Sequence, residues 1–133
     1  MIVLTRTDRQ ALELQLDLEG VQSIDDALTA VEAGQVAEVA ALLDLRIPRK
    51  KGSPAMELSP LTIEFGEGTL DADEGGLCWR LEPDDIEYLR ERLSQYRARG
   101  EFFPAELTHV QSGSRPWLDT VYLTSPNSSG RTQ

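Results

Sequence analysis

Leucine stands at every second position from Leu12 to Leu18, with Glu13, Gln15, Asp17 and Glu19 in the gaps or just beyond. Period two sends alternate side chains to opposite faces of an extended chain. One face of this segment is therefore apolar and must be covered, while the other is acidic and stays wet. The segment reads as a strand ended by Gly20, and it commits the chain to a sheet with a buried side.

Two further alternations follow the same rule: Leu61, Ile63 and Phe65, then Leu77, Trp79 and Leu81. Gly66 and Gly68 break the first run, and Gly75-Gly76 precedes the second, so two or three antiparallel strands joined by tight turns are predicted. Trp117 to Thr124 reads as a final strand, and Phe102, Phe103 and Leu107 are expected to pack on the core.

Helical spacing appears twice. Ser23, with Asp26 three residues on, resembles a capping box ahead of Ile24, Ala27, Leu28 and Val31, which predicts a helix over 24–33 stopped by Gly34. Pro83 suits a first helical position, and Asp84, Asp85 and Glu87 suit the positive end of the macrodipole. Ile86, Leu89, Leu93 and Tyr96 share one face, and Gly100 ends the run, so 83–99 is the main predicted helix. Between these, 36–47 is alanine-rich at first and alternates at its end, predicting a helix that gives way to a strand. Residues 48–60, with three prolines and Arg49-Lys50-Lys51, read as a long solvated loop.

The expected architecture is a single α+β domain over 1–124, an antiparallel sheet of four to six strands packed against two or three helices. Residues 125–133 read as a disordered tail. No repeat shows in the residues, and no second-domain boundary. At 133 residues the chain can bury one core without staples.

Charge limits function. There are 13 Lys+Arg against 23 Asp+Glu, a formal net charge of −10. Such a chain is repelled by phosphate backbones, which argues against nucleic acid as a partner. No apolar run approaches the ~18 residues of a membrane helix. Charge arrives at Arg6, too early for a secretion leader, so a cytoplasmic location and no membrane partner are expected. On that reading Asn127-Ser128-Ser129 is a chance glycosylation match.

Asp71-Ala72-Asp73-Glu74-Gly75-Gly76-Leu77-Cys78-Trp79-Arg80-Leu81-Glu82 resembles the calcium loop of the EF-hand family. The resemblance implies calcium held by Asp71, Asp73, the Leu77 carbonyl and Glu82. The segment ahead of it alternates as a strand rather than a helix, and the fifth position is Gly75, which has no side-chain ligand. An acidic hairpin turn, with no metal, is therefore the expected structure. Cys78, His109 and Asp119 supply the thiol, imidazole and carboxylate of nucleophilic thiol chemistry, yet nothing in the sequence depresses the Cys78 pKa. One histidine and one cysteine cannot make the usual zinc site, and Asp71 stands where a dinucleotide fingerprint wants a third glycine. No cofactor and no catalytic residue are expected.

What remains is the acidity itself. Ten acids against Arg80 and Arg90 lie between Glu64 and Glu91. Glu64, Glu67, Asp71, Asp73, Glu74, Asp84, Asp85 and Glu87 are the candidate partner-binding residues, a negative face that steers a basic protein. The expected function is a non-catalytic binding module, an immunity- or antitoxin-like inhibitor of a basic, nuclease-like toxin. An acidic secretion chaperone is the second reading. A thiol enzyme using Cys78 and His109, or a calcium module over Asp71 to Glu82, is the alternative of another class.

Overall fold

A computed structural model describes residues 1–45, 56–73, 76–100, 102, 105–113 and 117–126, without the side chains of Asp73 and Ala105. Its strands are β1 (Ile2–Asp8), β2 (Ala11–Leu16), β3 (Ala37–Asp44), β4 (Glu57–Phe65), β5 (Thr69–Asp73), β6 (Gly76–Leu81), β7 (Ala105–Ser112) and β8 (Leu118–Thr124). The helices are α1 (Leu18–Glu32) and α2 (Pro83–Arg99). The strands close into a barrel in the order β1-β2-β8-β7-β5-β6-β4-β3, with β3 pairing back to β1.

This overturns the expected α+β sheet of four to six antiparallel strands. Alternation reveals which face of a strand is buried, but a sheet curved onto itself buries its inner face just as a flat one does under helices. Nor is the pairing all antiparallel. β4 lies parallel to β6, with β5 completing a hairpin on the far side of β6, and parallel ladders recur at β1–β3, β2–β8 and β5–β7.

Segment 37–44 is strand throughout, not helix followed by strand. Its alternate residues Val39, Ala41 and Leu43 turn toward the core, and the burial this yields outweighs alanine's helical preference. The strand β4 starts at Glu57 and takes in Pro60, so 57–60 are strand rather than loop; residues 48–55, with Arg49-Lys50-Lys51, lie outside the described residues.

Helix α2 has the predicted bounds. Asp85 accepts from the Glu82 amide at 3.4 Å, and Gly100 closes the helix at φ 81°. α1 begins six residues earlier than predicted, because Asp17 rather than Ser23 is its cap and accepts from Gly20 N–H at 2.8 Å. Leu18, which prolongs the leucine alternation in sequence, is the first helical residue and lies exposed. Gly20 does not end the strand; it sits in the first helical turn, where an added Cβ would stand 2.4 Å from the Met1 carbonyl oxygen.

Burial opposes ionisation of Asp17, but the Met1 ammonium and the Gly20 amide outweigh it and hold the carboxyl below its ordinary range. A lowered folded pKa contributes stability that is complete above the ordinary carboxylate value of about 4 and is lost as pH falls through the folded value. Asp17→Asn should flatten the acid limb of the stability–pH curve, as read by thermal unfolding. An unchanged limb would remove this role.

The topology contains a repeat that the residues conceal. β1-β2-α1-β3-β4 and β5-β6-α2-β7-β8 have the same pairings: the first two strands antiparallel, first and third parallel, third and fourth antiparallel. β2 and β6 each feed a helix from the same end of the barrel. Asp17 and Glu82 are both N-caps, and Val21, Ile24, Leu28 and Val31 match Ile86, Leu89, Leu93 and Tyr96 at a constant spacing of 65 residues. The two units are therefore related by a pseudo-twofold axis running along the barrel. The helices meet across it at the barrel's end, their apolar faces turned into the common core.

The axis position is occupied by opposite charges. Asp25 and Arg90 are equivalent residues and pair at 2.9 Å, while Arg97 reaches Asp25 at 2.9 Å and Arg90 also engages Glu32 and Thr29. Two copies of the first unit would set Asp25 against Asp25. The charge pattern favours joining unlike units.

Candidate functional site

Arg80 on β6 faces outward between the neighbouring strands β4 and β5. Cross-strand register brings Glu64 within 3.6 Å and Asp71 within 3.3 Å of its guanidinium. Asp71 also accepts from Gly113 N–H at 3.3 Å. The barrel thus gathers Glu64 and Asp71, but around a cation that offsets them. Asp85 is used within the fold as well, accepting from the Thr108 hydroxyl at 2.7 Å and tying the start of α2 to β7.

Glu67, in the β4–β5 connection, and Asp84 and Glu87, in the first turns of α2, are exposed and make no ion pair among the described residues. Asp73 belongs to β5, its side chain outside the described set, and Glu74 lies wholly outside it. The expected eight-residue face thus has three free carboxylates among its described side chains. Arg6, Arg80, Arg90 and Arg97 meanwhile are committed to carboxylates.

The thiol constellation is not assembled. β5 separates Cys78 on β6 from β7, where His109 projects outward, half-exposed, with Nε2 3.2 Å from Glu106. Asp119 points through the wall into the interior, fully buried, and forms a bidentate pair with Arg6 at 3.0 and 2.9 Å. The segment that resembles a calcium loop is entered from a strand rather than a helix: Asp71 pairs across the β5–β6 ladder with Cys78, Asp73 with Gly76, and Glu82 is the N-cap of α2, while Glu74 and the Asp73 side chain lie outside the described residues. No group of three or more metal-ligating side chains occurs among the described residues.

The Arg6–Asp119 pair went unread in the sequence. Arg6 Nε donates to the Leu45 carbonyl at 2.8 Å, and NH1 to the carbonyls of Asp8 and Arg9 at 3.3 and 3.1 Å. One side chain so joins the β1–β2 turn, the end of β3 and β8, with its partner carboxylate equally enclosed. The guanidinium's donors are taken up by this arrangement, which serves as a structural clamp.

A second surface feature lies on the outer side of β3 and β4. Ala40 opposes Pro60 and Leu42 opposes Leu58, and a shallow groove of about 300 Å³ runs there beside Glu38. Leu58 is 73% exposed. The sequence masked this face, because Leu58 and Pro60 fell in a segment read as loop.

The described residues form a closed, internally duplicated β-barrel that exposes unpaired carboxylates and, on β3–β4, an apolar strip. Compared with protein-family models, curated proteins and solved structures, the chain matches none of them. No helix among the described residues is long and apolar enough to cross a membrane.

Proposed function

We propose that the protein is a non-catalytic, cytoplasmic binding module that engages a basic protein, in the manner of an immunity or antitoxin inhibitor covering a nuclease-like toxin. The observation that carries this reading is the set of unpaired, exposed carboxylates at Glu67, Asp84 and Glu87, on a chain of net charge −10 whose Arg80, Arg90 and Arg97 are already engaged. Unpaired surface charge of one sign speeds encounter with a partner of the other sign and weakens with salt.

The test is complex formation with a basic protein encoded beside this chain's own gene. At low ionic strength the two should copurify. Reversing Glu67, Asp84 and Glu87 to lysine together should slow association by about tenfold or more, as should added salt. Absence of a complex, or an association rate indifferent to the reversal, would sink the proposal.

The second reading, an acidic secretion chaperone, is favoured by the apolar strip at Leu42, Leu58 and Pro60, since a chaperone must hold apolar segments of its cargo. A chaperone would bind an unfolded cargo segment and leave the folded partner alone.

A further inference from the structure

We infer that the outer face of β3–β4 is a docking surface for a partner segment that combines apolar side chains with flanking lysine or arginine. This rests on the protein-binding reading above and assigns the contact that the charge alone does not.

The internal repeat shows that the fold does not require this face to be apolar. The pairs Ala40–Pro60 and Leu42–Leu58 on β3–β4 correspond to His109–Thr120 and Gln111–Leu118 on β7–β8. The backbone setting is the same in both units, yet three of the four positions are polar in the second. Exposed apolar side chains that the architecture does without, gathered about a groove of about 300 Å³, indicate contact with something else.

Chemistry selects the occupant. The described barrel has no open sheet edge, because β3 is bonded to both β1 and β4. A partner therefore gains no main-chain ladder and must bind through side chains. Glu38 borders the groove and is exposed and unpaired among the described residues. A second copy of this chain would bring the same carboxylate and the same net charge of −10 to the face. A segment placing apolar groups on Ala40, Leu42 and Leu58 and a cation on Glu38 meets both requirements at once.

The test uses the full chain and two short peptides of equal charge, one alternating leucine with lysine and the other serine with lysine, followed by backbone-amide NMR shifts and calorimetry. The leucine peptide should shift the amides of Ala40, Leu42 and Leu58, and the serine peptide should not. Leu58→Gln, at an exposed site that leaves the fold intact, should weaken the leucine peptide by about tenfold, and Leu42→Gln should act in the same direction. Shifts confined to Glu67, Asp84 and Glu87 with both peptides would overturn the docking surface while leaving the acidic reading in place. No shifts from either peptide at low salt would remove both. A dimer of the free protein that Leu58→Gln converts to monomer would overturn the inference by making a second copy the occupant.

Discussion

Asp119→Ala should destabilise the protein by about 3–5 kcal/mol, enough to threaten folding at ordinary temperature. Asp119 and Arg6 have side-chain exposures of 0% and 1%, so neither charge can turn to water when its partner is removed. The truncation leaves the guanidinium enclosed with two donors unanswered, and that orphaned charge accounts for most of the loss. The same guanidinium holds the Leu45, Asp8 and Arg9 carbonyls, so the β1–β2 turn and the end of β3 should loosen together. The pair itself, however, repays little more than its own desolvation. Arg6→Met with Asp119→Leu, which removes both charges and roughly conserves volume, should therefore recover most of the stability. Chemical denaturation of the two single variants and the double variant measures the cycle. A double variant as unstable as Asp119→Ala would show that the clamp's carbonyl contacts, rather than the buried charge, dominate.

How far the sequence reveals this barrel depends on the kind of signal each element carries. α2 was readable to its bounds, because Pro83, the early acids, the apolar stripe and Gly100 all act within the helix itself. β1 escaped because Arg6 occupies an inward position after Ile2 and Leu4, and a charge there reads as the end of a buried face. β7 escaped for another reason: a register shift between Glu106 and Thr108 breaks the alternation, so buried Leu107 and Val110 fall out of period. Ser125, read as tail, is fully buried and accepts from Phe102 N–H at 3.3 Å, while 127–133 lie outside the described residues. Closure is a relation between distant strands, and a local period cannot express it. The repeat stayed hidden because equivalent sites keep their burial and change their chemistry, Leu14 against Trp79 and Val31 against Tyr96. The acidic face was legible as composition, but its neutralisation was not. Glu64 and Asp71 are 16 and 9 residues from Arg80 in sequence, and only the β4–β6–β5 register makes them its neighbours.

Leu28→Ala and Leu93→Ala should each cost about 2–5 kcal/mol, and by similar amounts. Both leucines are fully buried, on helices that enter the core from the same end of the barrel. Each removes three carbons from a packed interior and leaves a cavity that a closed barrel wall collapses around poorly. The similarity follows from the repeat: Leu28 and Leu93 are equivalent positions, seated one turn beyond Ile24 and Leu89 in matching helices. Asp26 and Glu91 are equivalent too but exposed, so Asp26→Ala and Glu91→Ala should each stay within about 0.5 kcal/mol of the unaltered protein. Urea midpoints at constant m-value give the four numbers. If Leu93→Ala cost severalfold more than Leu28→Ala, the two units would share a backbone plan without sharing the load on the core. Matched losses at the buried pair and none at the exposed pair would establish the pseudo-twofold as an energetic symmetry as well as a geometric one. The charged contact between Asp25 and Arg90 would then lie at the centre of a nearly balanced structure, where it serves chiefly to decide which unit meets which.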